Sequence, residues 1–161
     1  MAVKIVTDST SDLPPDIARD LGITVVPLNV HFGTQVFKDG VDLLPDEFYQ
    51  RLVDGPDLPK TSQPSPGDFL KVYDKLGSEA EGILSAHLSS KLSGTFNSAS
   101  QAKSEAGVGC PIEVVDTSQA SMGLGMVAMA AARAAKAGGA QEEVASVARD
   151  AAGLCHCIAL L

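Results

Sequence analysis

The sequence predicts an α/β domain of three layers, in which a mainly parallel sheet carries helices on both faces. Short β-branched runs alternate with longer segments whose apolar residues recur at helical spacing. This order favours parallel pairing, because each helix crosses the sheet before the next strand begins. The length of 161 residues suits one domain (residues 1–161), and a hydrophobic fraction of 45% can form a core without disulfides.

Strands are expected where apolar, β-branched runs end in polar residues or glycine. These runs are 3–6, 23–30, 32–37, 83–86, 112–115 and 155–161. Pro27 interrupts the second run, and Asp39-Gly40 is a turn signal after the third.

Helices are expected where proline or a capping residue precedes apolar residues at helical spacing. They begin at Pro14-Pro15, Pro45, Ser65-Pro66, Leu92, Met122 and Glu142. The first ends near Gly22, and Asp68 stands at the capping-box position after Ser65. The segment 122–137 is apolar on nearly every side and is expected to be buried. The segment 56–66, with four prolines, is expected to be a loop.

Composition excludes several partners. The net charge of -8 argues against nucleic acid and against anionic membrane surfaces, which both need clustered Lys and Arg. No apolar run reaches the roughly 18 residues of a membrane helix, and no secretory signal precedes the first strand. Three cysteines do not form a disulfide framework, so we expect a cytoplasmic protein.

The chain ends on an apolar run, 158–161, with no polar tail. Two explanations are open. Either this last strand is central and covered, or the chain is a fragment whose next lobe is missing. We favour the second expectation.

Three hydroxyl-rich segments are expected at the carboxyl edge of the sheet, where open α/β sheets bind ligands. They are 8–12, 61–64 and 89–95. In the third, a helix start offers free backbone amides, Gly94 leaves room, and Ser93 and Thr95 add hydroxyls, which suits a carboxylate or phosphate. The alternative is helix capping, for which Ser and Thr are common.

The other two segments also have simpler interpretations. Asp8 and Asp12 would repel an anion, so Asp12 is expected to cap the helix at Pro14, with Ser9 as a further candidate contact. Thr61 and Ser62 fit ordinary turn chemistry as well as ligand binding.

Other motifs carry weaker signals. The pattern G-x-G-x-x-A from Gly123 lies inside an apolar helix and indicates close helix packing, not a dinucleotide site. Segment 155–157, Cys-His-Cys, lacks a second ligand pair for zinc and indicates core packing. His31 and His87 look solitary, and a triad of His87 with Ser93 has no nucleophile-elbow motif. We expect no catalytic residue and no metal site.

The ordered set of motifs resembles the DegV family. The matching pieces are Thr7-Asp8-Ser9-Thr10-Ser11-Asp12-Leu13-Pro14, Asp39-Gly40, Thr61-Ser62-Gln63-Pro64, Leu92-Ser93-Gly94-Thr95-Phe96, Val115-Asp116-Thr117 and the glycines around Gly123. The match runs to about Ala152 and is specific as a set, although each motif is short.

The resemblance implies a non-enzymatic carrier that binds one long-chain fatty acid between two lobes and needs no cofactor. It implies that the carboxylate lies at Thr61 and Ser93-Gly94, with Ser62 and Thr95 beside them. A fatty-acid kinase is the implied partner, which phosphorylates the presented carboxylate.

The chain departs from the family in length. Family proteins usually carry a second lobe with a Gly-Gly-Arg region and further carboxylate contacts, which this sequence lacks. The chain therefore resembles the amino-terminal lobe, and binding by this lobe alone is expected to be weak or absent. Two alternatives remain: an enzyme acting on a small phosphorylated or nucleotide substrate, and a structural module without a ligand.

Overall fold

The computed structural model of the chain describes residues 2–55 and 58–158. Strands and helices alternate through most of this part of the chain. The strands are β1 Ala2–Asp8, β2 Ile23–Val26, β3 Asn29–Phe32, β4 Gln35–Lys38, β5 Lys60–Ser62, β6 Ala80–His87 and β7 Ile112–Asp116. The helices are α1 Pro15–Leu21, α2 Pro45–Asp54, α3 Pro66–Gly77, α4 Thr95–Glu105, α5 Met122–Lys136 and α6 Gln141–Leu154.

The main sheet is four-stranded and wholly parallel, in the order β2-β1-β6-β7. Helices α1, α5 and α6 pack on one face, and α3 and α4 pack on the other. The expected α/β class of three layers is therefore confirmed.

Side chains of the central strands alternate between two cores, as the period of a strand requires. Val3 and Ile5 of β1 pack under α5 and α6, whereas Val6 packs under α3 and α4. The same alternation turns Ser85 and His87 of β6 towards Phe69 and Tyr73 on α3. Strand β6 is buried from Gly82 to His87, where it ends. Both of its faces are therefore covered up to the carboxyl edge of the sheet.

A second sheet of three antiparallel strands, in the order β4-β3-β5, was not predicted. The expected strand 23–30 divides at Pro27, because proline has no N–H to donate and the chain leaves the parallel sheet there. The expected strand 32–37 is also wrong as a single element. It contains a hairpin turn at Gly33-Thr34, where Gly33 has a φ of 58°.

The prediction of a loop over 56–66 is wrong at residues 60–62. These residues form β5, which pairs with β3 in the register Val30 with Thr61 and Asn29 with Ser62. Residues 56 and 57 lie outside the described part. β5 has only three residues, too short for an alternating pattern to reveal it.

The helix limits agree closely with the sequence predictions. The capping box of α3 forms as expected: Ser65 accepts from the Asp68 amide, and the Asp68 carboxylate accepts from the Ser65 amide. Helix α4 begins later than expected, at Thr95, so Leu92 lies in the preceding loop. Asp12 does not cap α1. It lies in the left-handed region and accepts a hydrogen bond from Ser121 Oγ at 2.6 Å.

The predicted strand 155–161 is wrong over its described residues. Residues 155–158 pair with no strand, and 159–161 lie outside the described part. The two thiols of the Cys-His-Cys segment therefore do not share a strand face. Cys155 is half-buried against the α5 and α6 core, in accord with core packing, but Cys157 is exposed.

The glycine pattern from Gly123 brings α5 close to the turn after β1, as expected. A Cβ at Gly125 would lie 2.6 Å from the carbonyl oxygen of Ser11, a backbone atom. We expect Gly125→Ala to lower the free energy of unfolding by about 1–3 kcal/mol, because the turn or the helix must shift. Chemical denaturation measures this loss.

Gly153→Ala on α6 is the matched control, since a Cβ there meets nothing within 4 Å. We expect it to raise the free energy of unfolding by about 0.5–1 kcal/mol, because alanine loses less backbone entropy in a helix. Equal stabilities for the two variants would contradict the close packing at Gly125.

Candidate functional site

A polar cavity of about 360 Å³ lies where the carboxyl edge of the main sheet meets the small sheet. The main sheet provides the residues that follow β1 and β6, and the small sheet provides β5. The lining residues are Thr10, Leu28, Asp39, Thr61, Ser62, Gln63, Leu88, Leu92, Ser93 and Gly94. We call this space the head-group cavity. Its size falls within the usual range for small-molecule pockets, about 300–1,000 Å³.

Four of the predicted site residues, Thr61, Ser62, Ser93 and Gly94, line this one cavity. Thr95 does not. Its side chain is fully buried, and its Oγ1 lies 2.9 Å from Ser93 Oγ. A buried hydroxyl keeps its proton in a hydrogen bond, and Ser93 is the partner in place. Either hydroxyl can be the donor in this pair, and because Thr95 Oγ1 has no other partner among the described residues, we expect Thr95 to donate and to leave the Ser93 proton free for the cavity.

Gly94 leaves room for a side chain from the other sheet. A Cβ at Gly94 would lie 2.6 Å from Gln63 Nε2, so the Gln63 amide rests directly on the Gly94 backbone. No side chain caps α4 at this point. The contact brings the residue after β5 against the β6–α4 loop, and both residues line the cavity.

Ser62 is held in place by two polar residues of β3. Asn29 Nδ2 donates to Ser62 Oγ at 3.3 Å, and His31 Nε2 lies 2.9 Å from the same oxygen. The expectation of a solitary His31 is therefore wrong. Asn29 and His31 stand two residues apart, and this period-2 polar face was the signal that sequence reasoning missed. Thr61, the preceding residue of β5, is exposed and also lines the cavity.

An apolar groove of about 640 Å³ adjoins the head-group cavity, and Asp39 lines both spaces. Its walls come from the turn after β1, from α1, from β2 and from the start of α2. The apolar lining residues are Leu13, Pro14, Pro15, Ala18, Ile23, Val25, Pro27, Val41, Leu44 and Pro45. Ser9 lines this groove, not the cavity, and its Oγ accepts a hydrogen bond from the Leu28 amide at 3.0 Å.

A buried polar chain lies directly beneath the cavity. Tyr73 donates to Ser85 Oγ at 2.8 Å, and Ser85 Oγ lies 2.6 Å from His87 Nε2. His87 Nδ1 lies 2.9 Å from Asp8 Oδ2, and Phe69 packs edge-on against the His87 ring.

The expectation of a solitary His87 is therefore also wrong, and its serine neighbour is Ser85, not Ser93. The Ser85, His87 and Asp8 side chains have the order of a catalytic triad. All three residues are 0% exposed, so no substrate reaches Ser85. The described geometry supports a structural role for this chain of hydrogen bonds.

Asp8 is the charged end of the chain. Its Oδ1 accepts from the amide and the hydroxyl of Thr10, at 3.1 and 2.5 Å. Its Oδ2 accepts from His87 and from the Leu88 amide at 3.1 Å. Burial alone would raise the pKa of Asp8. The hydrogen bond and charge interaction with His87 act in the opposite direction, as do the hydrogen bonds from Thr10 and Leu88, and they lower the pKa below its ordinary value of 3.8. Asp8 is therefore ionised inside the protein.

The motif Val115-Asp116-Thr117 fixes the β6–α4 loop from the side of β7. Asp116 accepts from the amide of Ser90 at 3.2 Å and from its hydroxyl at 2.5 Å. Thr117 Oγ1 donates to the His87 carbonyl at 2.8 Å. Burial tends to raise the pKa of Asp116, but the bonds from Ser90 and Ser118 outweigh it and lower the pKa. This carboxylate therefore anchors the loop that carries Ser93.

The described residues contain no cluster of three or more His, Cys, Asp or Glu side chains placed to hold a metal ion. Across the same residues, no helix combines the length and apolar character needed to cross a bilayer.

These features place the chain among α/β proteins whose cavities open at the carboxyl edge of a parallel sheet. The model of the DegV family, described as a family of uncharacterised proteins, matches residues 2–156. The chain therefore belongs to the DegV family, and the resemblance stated from its motifs is confirmed.

Individual relatives agree with this assignment. A DegV domain-containing protein of Deinococcus radiodurans is 43% identical over 138 residues, which are 86% of this chain and 48% of the relative. A DegV family protein of Thermus thermophilus, described by its fatty acid binding, has 41% identity and a TM-score of 0.85, and the match covers 95% of this chain and 54% of that one.

DegV of Bacillus subtilis, described as a fatty acid binding protein, has 31% identity and a TM-score of 0.86, with 93% and 53% of the two chains covered. The chain thus spans about half the length of the relatives it matches.

Asp8→Asn tests the charged end of the buried chain. Because its folded-state pKa lies below the ordinary 3.8, ionised Asp8 stabilises the fold above that pH, and the contribution is lost as the pH falls through the folded-state pKa. We expect the variant to lose about 3 kcal/mol of unfolding free energy at neutral pH, because His87 loses its charged partner. Denaturation across the acid range should also give a flatter pH dependence than in the unsubstituted protein.

Asp74→Asn is the control, since Asp74 is exposed on α3. It should leave both the stability at neutral pH and its decline in acid nearly unchanged. If Asp8→Asn kept the acid decline of the unsubstituted protein, ionised Asp8 would not be its source.

Proposed function

We propose that this protein binds a long-chain fatty acid and holds its carboxylate in the head-group cavity with hydroxyls and backbone amides. One observation carries the proposal. The hydroxyl residues Thr61, Ser62 and Ser93 line one small cavity that adjoins an apolar groove. The cavity suits the polar head of a ligand, and the groove suits a long apolar tail.

The solved relatives support the choice of ligand. The proteins of Thermus thermophilus and Bacillus subtilis are both described as binding fatty acid, at 41% and 31% identity to this chain. A relative from Eubacterium ventriosum, 34% identical, is described as binding stearic acid. We extend this ligand class to the present chain as a proposal.

Hydrogen-bond donors in the cavity come from both sheets. Ser93 has a free proton because Thr95 donates to it, and the Thr61 hydroxyl has no partner within the described residues. The other backbone amides from Leu88 to Thr95 each have an acceptor, but the Gly94 amide has none among the described residues. Three donors from two elements are sufficient to orient one carboxyl group.

The apolar groove is the candidate path for the first part of the tail. Each buried CH₂ contributes about 0.8 kcal/mol, so a tail of about 16 carbons provides most of the affinity. We propose that a second lobe provides the remaining contacts to the tail and to the carboxylate. The relatives are about twice as long as the matched segment, which is enough for such a lobe.

A fatty-acid kinase is the proposed partner. After the head group has lost any acid proton to water, a carboxylate oxygen would attack the γ-phosphorus of ATP, giving an acyl phosphate and ADP, while the present protein acts as the carrier. The motif resemblance supports this step. Incubating the loaded protein with the kinase and ATP should yield acyl phosphate, and its absence would leave binding alone as the function.

Thr61→Ala combined with Ser93→Ala tests the head-group donors in the full-length protein. Each hydrogen bond to the head group contributes about 1–1.5 kcal/mol, so we expect the affinity to fall on the order of 100-fold for the pair. Displacement of a fluorescent fatty acid measures the loss. Ser146→Ala on the exposed face of α6 is the control, and unchanged affinity in the double variant would refute the proposed head site.

Thr95 is a positioning residue, and its two conservative substitutions separate the hydroxyl from the volume. Thr95→Val keeps the shape but removes the donor to Ser93, so we expect about tenfold weaker binding and a loss of about 1 kcal/mol in stability. Thr95→Ser keeps the hydroxyl and should retain the affinity. If both variants bound alike, the hydroxyl of Thr95 would have no influence on the head group.

A further inference from the structure

Thr10 lines the head-group cavity, but neither of its donors is available to a ligand. Its amide and its hydroxyl both bind Asp8 Oδ1, at 3.1 and 2.5 Å. Asp8 must be the acceptor in each case. The Thr10 amide donates to Asp8 Oδ1, and the Leu88 amide donates to Asp8 Oδ2. His87 Nδ1 is the further partner of Oδ2. Thr10 Oγ1 therefore offers only lone pairs to a ligand.

The polarity of the buried chain beneath Thr10 follows from the same constraint. An ionised Asp8 makes His87 Nδ1 a donor, so in the neutral imidazole Nε2 is an acceptor. Ser85 then donates to His87 and accepts from Tyr73. With this tautomer the donors of the chain point towards Asp8, and in either protonation state of His87 its Nδ1 donates to Asp8 and leaves the carboxylate an acceptor for Thr10.

The charged residue that lines the cavity itself is acidic, although Arg19 lines the adjoining groove. Asp39 lines the wall, and Asp8 lies directly below Thr10. None of the lining residues is Lys, Arg or His. His31 stands behind Ser62, while Lys60 and Lys91 are exposed neighbours in the chain and outside the lining. An anionic head group placed beside Thr10 would lie near the charges of Asp8 and Asp39 and would meet a hydroxyl oxygen that offers no proton, which favours its protonated form.

We propose that Thr10 is a specificity-determining contact that accepts a hydrogen bond from the ligand's own O–H, so that the fatty acid binds in its protonated form. This inference rests on the proposed function and assigns the two sides of the head group. The carbonyl oxygen accepts from Thr61, Ser93 and the Gly94 amide, and the acid O–H donates to Thr10.

Three probes of equal chain length test this assignment in the full-length protein at one fixed pH: the 16-carbon acid, its primary amide and its methyl ester. The amide has both an acceptor and a donor, as the protonated acid does, whereas the ester has no donor. We expect the amide to bind within about tenfold of the acid, and the ester to bind at least tenfold more weakly than the amide, the factor for one hydrogen bond.

Thr10→Val and Thr10→Ser form the matched pair of variants. Thr10 is only partly buried, so both are expected to fold. Thr10→Val should lower the affinity for the amide and the acid by about tenfold and leave the affinity for the ester unchanged. Thr10→Ser should bind all three probes as tightly as the unsubstituted protein does.

The outcomes separate this inference from the proposed function. If none of the three probes binds, the proposed function fails, and the inference fails with it. If the acid binds but the amide binds far more weakly, the bound form is the anion, held by a cation from outside this lobe, and the inference alone is overturned. The inference would also be overturned if Thr10→Val bound the three probes with the same relative affinities as the unsubstituted protein.

Discussion

The carboxylate of Asp8 is the interaction on which the carboxyl edge of the sheet depends. A buried charge is tolerated only when each lone pair has a donor, and Asp8 finds its donors in Thr10, His87 and Leu88. The first lies just beyond β1 and the other two at the end of β6, so one side chain joins two neighbouring strands where they end. Thr10 and Leu88 are thereby held on the same side of the head-group cavity.

The cavity also depends on the chain leaving the main sheet at Pro27. If the strand had continued past Pro27 to residue 31, the polar residues Asn29 and His31 would have lain in the parallel sheet, without β5 as a partner. Instead, they pair with β5 and hold Ser62 opposite the loop that contains Ser93. A proline that removes one backbone donor therefore determines where the second wall of the site forms.

The sequence was informative where a signal is local. Helical spacing and capping residues gave α1, α3, α5 and α6 nearly to their ends, and hydroxyl-rich turns gave four of the cavity residues. It was uninformative where the partner is distant. Asp8 and His87 are 79 residues apart, so His87 looked solitary although the two side chains are hydrogen-bonded. β5 has three residues beside prolines and no periodicity, and Asp39 reaches the cavity only through the packing of the small sheet.

Affinity and selectivity arise from different parts of such a site. Burial of an alkyl tail is favourable in proportion to its area but distinguishes head groups poorly, because it is the same for an acid, an amide or an ester. Discrimination comes from the cost of leaving a buried polar atom without a partner, about 1–3 kcal/mol. The head-group cavity needs little net attraction if the tail supplies it. Under the proposed assignment, donors at Ser93 and lone pairs at Thr10 then decide which head group leaves no atom unpaired.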